Sequence, residues 1–278
     1  MKYSIVINQF ERLRFVDRAI QSCQSLSKHP DDTVEIIVVS DVEMNRYGGQ
    51  IKNIVIPESP IGYRYAQGLK VATGDWIFLL DDDDHFLPDK LQRYRNVPAG
   101  IQMIKEYSGP HIGIPGQKET WKKWMKKVIK YHVDWHTSQY CFNQAFKDKL
   151  FANDIESVSV SFDKYLFAIA MYDVNGLLLL NKTRTVKVEH SDSRMHSMRA
   201  EQKRSFYEKT VEMISHVRIA SPYKDYTYDL NAFLSSGDRK YFSHIKNYLP
   251  MMNRLYYEHL WKPYAVIKSM ETAKGVGK

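Results

Sequence analysis

Four consecutive aspartates, Asp81 to Asp84, directly follow the apolar run WIFLL. Adjacent carboxylates repel one another, so setting them side by side is costly unless they share a cation. Hard oxygen ligands of this kind suit Mg2+ or Mn2+, ions that keep several waters and bind substrate phosphates. The alternative use is a solvated acidic turn ahead of a helix starting near Pro88. A further carboxylate, Asp41, closes the β-branched run VEIIVVS, where it can meet a ligand or cap a turn. The two cysteines, Cys23 and Cys141, form neither a disulfide framework nor a metal-binding spacing. Cys141, followed by Phe142, reads as core.

The elements that must position these groups alternate. Tyr3 to Asn8 is a short apolar run suited to a buried strand. Phe15 to Leu26 carries its apolar residues three or four apart, which predicts a helix. Val34 to Val39 and Ile51 to Ile56 read as strands, Tyr63 to Ala72 as a helix, and Trp76 to Leu80 as a fourth strand. Short buried strands separated by helices predict a mostly parallel, Rossmann-like α/β sheet. Ligands of such sheets sit at the carboxyl ends of the strands, where Asp41 and Asp81 to Asp84 fall.

The chain has 278 residues, 44% of them hydrophobic and 26% charged, so disordered, collagen-like and coiled-coil classes are excluded. The net charge is +8. Residues 194–278 hold 15 basic and 8 acidic residues, a net of +7, among many tyrosines. The opening MKYSIVINQF is too short an apolar run for a signal-peptide core. No apolar stretch approaches the roughly 18 residues of a transmembrane helix. The expectation is a cytoplasmic protein, with peripheral membrane contact left open. The segment WKKWMKKVIK predicts an amphipathic helix with a lysine face. That face would be solvated, or would meet a membrane surface or nucleic-acid phosphates.

The segment ATGDWIFLLDDDDHFLPDKL resembles the centre of the family-two-type glycosyltransferases with the GT-A fold. Their small-x-Gly-acid-aromatic-Ile-x-x-Leu-Asp-x-Asp-Asp run, with a later Pro, is met by Ala72, Gly74, Asp75, Trp76, Ile77, Leu80, Asp81, Asp83, Asp84 and Pro88. The stretch YSIVINQFERLRFVDRAIQSCQSLS resembles that family's first strand and helix, and VEIIVVSD its second strand. Two departures stand out. The family carries an acid before its catalytic Asp, where this chain has Phe162, and an Ala-Arg-Asn after the third-loop Gly, where Tyr63, Arg64, Tyr65 and Ala66 follow Gly62.

The resemblance implies a GT-A-like fold over residues 1–193. Residues 1–98 would bind the nucleotide sugar and 99–193 the acceptor, with 194–278 a basic helical extension. It implies an inverting, metal-dependent transfer from a nucleotide sugar, with a UDP-sugar favoured, to a hydroxyl of a glycan, lipid or protein. Asp83 and Asp81, with His190, would hold Mn2+ or Mg2+. Asp163 would be the general base, opening a helix that ends near Gly176. Asp41 would meet the nucleotide base. Asn8, Gln9, Phe10, Arg12, Arg64, Asp82 and Asp84 would complete the donor site, and His136, in the run DWHTSQ, would line the acceptor site. Two alternatives stand beside this reading. The basic residues 121–130 and 194–278 also suit a nucleic-acid acceptor, such as hydroxymethylated DNA. The departures at Tyr65 and Phe162 also suit a silent nucleotide- or glycan-binding module.

Overall fold

The computed structural model describes residues 1–11, 13–113, 121–188, 198, 200–218, 222–236 and 240–241. Arg12 and His190, and much of residues 194–278, lie outside them.

The apolar runs become strands buried on both faces, as parallel sheets require. They are β1 (Lys2–Asn8), β2 (Thr33–Ser40), β3 (Lys52–Val55) and β4 (Trp76–Asp81). The short β5 (His85–Phe86) follows the aspartates; β6 (Met103–Tyr107), β7 (Tyr140–Asn143), β8 (Leu177–Asn181) and β9 (Thr185–Val186) come later. Among the described residues, seven strands form one sheet in the order β3-β2-β1-β4-β7-β6-β8, and β5 pairs with β9 separately. β2, β3 and β4 join the β1 side in parallel, β7 runs antiparallel to both neighbours, and β8 is parallel to β6. β1 pairs with β2 on one side and β4 on the other, so the order reverses there. The crevice at such a reversal is the ligand position of open α/β sheets.

Helices cover both faces. α1 (Leu13–Gln24) buries Val16, Ala19, Ile20 and Cys23 along one stripe. α2 (Ile61–Val71) lies on the opposite face, in the core with Val6, Ile37 and Val39. A Cβ at Gly68 would stand 2.5 Å from Val6 Cγ1, so only glycine allows this approach. Gly62 does the same at the other end: its N–H donates to Val158 O at 2.8 Å, and a Cβ would lie 2.0 Å from Ile155 O. α3 (Trp121–Lys130) buries Trp124, Met125 and Val128 and exposes Lys123 and Lys130, the amphipathic division its spacing predicts. α4 (Gln144–Ala152) is capped by Asn143, whose side chain accepts from Phe146 N–H. α5 (Phe162–Ala170), α6 (Ala200–His216) and α7 (Pro222–Ser236) follow among the described residues. No helix among the described residues is long and apolar enough to cross a membrane.

Three expectations change. The helix carrying Asp163 stops at Ala170 rather than near Gly176, because turns at Met171 to Gly176 deliver the chain into β8. Of the strand-like run TVKVEH, residues 185–188 are described, and among them the strand covers Thr185–Val186. No α-helix starts at Pro88; a 3-10 turn, Lys90–Tyr94, swings Lys90 and Tyr94 inward.

That turn closes a buried ion pair. Lys90 Nζ lies 2.9 Å from Glu106 Oε2, with side-chain exposures of 1% and 0%. Tyr94 O–H, Thr183 O–H, Thr185 O–H and Arg184 N–H also donate to the Glu106 carboxylate. Burial alone would push this carboxyl up, but Lys90 and these donors hold it at about 2. Because its folded value lies below the ordinary ~4.3, its stabilisation is present above that value and is lost as pH falls toward 2. Removing one partner of a buried pair costs about 3–5 kcal/mol. Glu106→Gln is therefore expected to lose that much at pH 7 in urea denaturation, with the gap to wild type narrowing between pH 4 and 2. A gap independent of pH would show that the charge is not the source.

Candidate functional site

Four strand and helix ends converge at the mouth of the sheet. β1 delivers Asn8 and Gln9. Gln9 N–H continues the β2 pairing by donating to Val39 O at 2.9 Å, which fixes its side chain in the interior at 0% exposure. Gln9 Oε1 and Nε2 and Asn8 Oδ1 are buried with no hydrogen-bond partner among the described residues. β2 delivers Asp41. Its Oδ2 accepts from Glu11 N–H at 3.1 Å, while its Oδ1 is buried without a partner among the described residues. Orphaned buried polar atoms are costly, and a cluster of them marks a place where a polar ligand completes the bonding. α2 adds Arg64, buried, with its guanidinium 4.2 Å from the centre of the Phe10 ring.

β4 delivers the aspartates. Asp81 ends the strand, Asp84 N–H donates back to Asp81 O at 3.2 Å, and the chain turns into β5. Asp82 and Asp84 are buried; Asp81 and Asp83 are half-buried. Burial pushes Asp81 well up, with Asp84 and Asp83 adding repulsion, although Tyr65 O–H donates to its Oδ1 at 2.8 Å. Burial pushes Asp84 up to about 6, against a hydrogen bond from Ser138, with Asp83 adding repulsion. The Ser138 hydroxyl also accepts Asp81 N–H at 2.9 Å. His85 is part of β5, and its Nε2 lies 3.1 Å from Arg18 Nη2.

These carboxylates fit a divalent cation by their donor chemistry: crowded hard oxygens, held out of water, whose repulsion a cation relieves. No three His, Cys, Asp or Glu side chains among the described residues converge as a complete ligand set. Asp83 and Asp81 thus suit a cation whose remaining positions are filled by phosphate oxygens and water, the habit of Mg2+-type sites.

Asp163 stands apart from the sheet mouth, in the first turn of α5. Its Oδ1 accepts Lys164 N–H at 2.9 Å and its Oδ2 accepts His136 N–H at 3.3 Å. Burial raises its carboxyl, tempered by Lys164 and strengthened by Asp134. His136 has φ +67°, and burial, with Lys187 and Lys105 nearby, pushes its ring down to about 3. A neutral imidazole results, and it is the backbone N–H of His136 that meets Asp163. The sheet mouth thus gathers Asn8, Gln9, Phe10, Asp41, Arg64 and Asp81 to Asp84; Asp163 and His136 form a second group, joined to the aspartates through Ser138, two residues after His136.

Sequence reasoning missed Ser138, Tyr65 as a partner of Asp81, and the layer behind Asp163. The run DWHTSQ and the charged pair inside the apolar strand MIKEY were their signals. Tyr65 also stacks on Phe162, with ring centres 4.6 Å apart and planes 7° from parallel. The two departures from the family pattern therefore touch each other.

Residues 4–96 match the model of Glycosyl transferase family 2. No curated protein matches the chain. Among solved structures the chain is similar to Staphylococcus aureus TarS 1-349 in complex with UDP-GlcNAc. The TM-score is 0.55 at 16% identity, over 86% of this chain and 74% of that one. It is also similar to the mannosyltransferase PcManGT from Pyrobaculum calidifontis in complex with GDP-Man and Mn2+, at TM-score 0.54 and 11% identity, over 97% and 84%. Glucosyl-3-phosphoglycerate synthase from Mycobacterium tuberculosis gives 0.52 and 14%, over 80% and 82%. In the longer TarS structure this chain spans 44% of that chain's length. At these identities the likeness speaks for the fold, and the family match for the first third of the chain. Residues 4–96 match the glycosyl transferase family 2 model, and the fold that holds them is the GT-A fold of these structures.

Proposed function

We propose that this chain moves a sugar from a nucleotide sugar, with a UDP-sugar favoured, to a hydroxyl of a glycan, lipid or protein acceptor, with inversion at the anomeric carbon. One observation carries the reading: the unpartnered buried polar atoms of Asn8, Gln9 and Asp41 sit at the ends of β1 and β2, beside the aspartates that end β4. A pyrimidine base offers the donors and acceptors those atoms need, and a diphosphate offers the charge that crowded carboxylates hold through a cation.

Asp41 Oδ1 would accept the imide N–H of the base, and Asn8 and Gln9 would bond its carbonyl edge. Arg64, held over Phe10, would place positive charge toward the phosphates. Asp83 and Asp81, with His190 as a further ligand, would hold a divalent cation, which would supply positive charge against the leaving diphosphate. Mn2+ accompanies GDP-Man in the mannosyltransferase complex, which supports this choice. Asp163 would take the proton from the acceptor hydroxyl as it attacks the face opposite the diphosphate. Each of its oxygens accepts one backbone N–H, and a carboxylate accepts about four hydrogen bonds, so an acceptor hydroxyl finds a free lone pair there. A carboxyl raised by burial is also a stronger base than an exposed one.

Three outcomes follow. Calorimetry with UDP should show Mn2+-dependent binding that Asp83→Asn loses, together with transfer; near-normal transfer by that variant would overturn the reading. Asp41→Ala removes a charged hydrogen bond worth about 1.5–3 kcal/mol, so UDP binding should weaken roughly 10- to 100-fold. Asp163→Asn should keep UDP binding and lose roughly 10²- to 10⁴-fold in transfer. The base works only ionised, so wild-type transfer should fall with decreasing pH from above the ordinary aspartate value of ~3.9. A pH-rate profile flat down to that value would remove Asp163 from the role.

A further inference from the structure

A second buried polar layer lies behind Asp163. Lys105, on β6, has 0% exposure. Its ammonium donates to Trp135 O at 2.5 Å, His136 O at 3.2 Å and Gln139 Oε1 at 2.8 Å, which uses its three protons. Its Nζ also lies 4.3 Å from the centre of the Tyr140 ring. Drawing both carbonyls inward bends the loop after α3, and the bent loop presents His136 N–H to Asp163. Asp134, in the same loop, is buried, and its Oδ2 accepts Tyr223 O–H from α7 at 2.7 Å. The Asp134 carbonyl accepts Tyr140 O–H at 2.9 Å, and that hydroxyl also lies 3.0 Å from Asp163 O.

The carboxy-terminal helices grip the other flank as well. Ser161, with φ +51°, leads directly into α5, and its hydroxyl lies 2.9 Å from the Thr210 hydroxyl on α6. Thr210 gives its own proton to Phe206 O, so Ser161 is the donor. The Tyr223 ring meets Phe167 edge-on at 4.8 Å. Phe167 stands one turn after Asp163 on α5, so the two side chains share a helix face.

We propose that α6 and α7 form a positioning element for the general base: Tyr223 acting through Asp134, and Thr210 acting through Ser161, fix the loop and the helix start between which Asp163 sits. The role of Asp163 rests on the functional reading above; the grip on its carboxylate does not. Charged groups face Asp163 from three elements: Lys105 from β6, Asp134 from the loop, and Lys164 from its own helix. Asp134 disfavours the ionised base. Taking away its charge, or the Tyr223 O–H that stabilises that charge, therefore lowers the pH at which Asp163 titrates.

The test measures the Asp163 carboxylate by 13C NMR titration of the full-length chain, with the resonance assigned by its loss in Asp163→Asn. Asp134→Asn keeps an acceptor for Tyr223, and Tyr223→Phe keeps the ring against Phe167, so each change is small in volume. In both, the Asp163 titration should move to lower pH while Mn2+-dependent UDP binding stays as in wild type. Transfer should fall roughly 10- to 100-fold in kcat for Tyr223→Phe, with the donor KM unchanged, as expected for a misplaced base. An Asp163 titration identical to wild type in both variants would overturn the proposal, whatever the transfer assay gives. Full transfer by Asp163→Asn would overturn the functional reading instead, and the titrations would still decide the positioning.

Discussion

The mouth of the sheet depends on one buried ion pair, Lys90 with Glu106. Neither charge could stay buried alone. Each is satisfied because the other is present, with three hydroxyls and one backbone N–H completing the carboxylate. The consequence is geometric. Lys90 follows the β5 segment, while Thr183, Arg184 and Thr185 lead into β9. One carboxylate on β6 therefore ties both strands of the small β5–β9 sheet to the main sheet. The aspartates span the turn from β4 into β5, so their placement inherits that anchorage.

Glu106 has a neighbour with a matching task on the other face. Successive residues of a strand point to opposite sides. Ile104 shares one core with Tyr94, on the side of Glu106, whereas Met103 and Tyr107 belong to the other core, on the side of Lys105. Glu106 organises the mouth of the sheet and Lys105 organises the loop that meets Asp163. A charged pair inside a buried strand is expensive, and here each member recovers that cost by saturating its hydrogen bonds. The two halves of the site are thereby registered against each other by a single Cα–Cα step.

The first ninety residues were legible because parallel strands buried on both faces read as unbroken apolar runs, and α1 shows its stripe at helix spacing. Strand ends then gave Asp41 and Asp81 to Asp84 without further help. The loop from Tyr131 to Gln139 was not legible. Its shape comes from left-handed residues at His132 and His136 and from Lys105, some thirty residues away, and no local pattern announces such a partner. The end of α5 was misplaced for a related reason: the continuation through Met171 to Gly176 carries no strong breaker before Asn175-Gly176, yet β8 must start at Leu177 to pair with β6. The turn at Lys90 was hidden because a lysine suggests solvent, and only the tertiary partner turns it inward.

The two departures from the family pattern illustrate the same point. Read singly, Tyr65 and Phe162 suggested a weakened site. In the fold they form one contact. With Phe162 where an acid is usual, the position needs an apolar partner, and the Tyr65 ring supplies it face to face. The Tyr65 hydroxyl remains free to turn outward and donate to Asp81. The stack thus spans from the start of the Asp163 helix to the end of β4. Two residues that each look like a loss when read in the sequence form together one brace between the helix of Asp163 and the strand end of Asp81, which argues against reading the chain as a silent module on the strength of its motif alone.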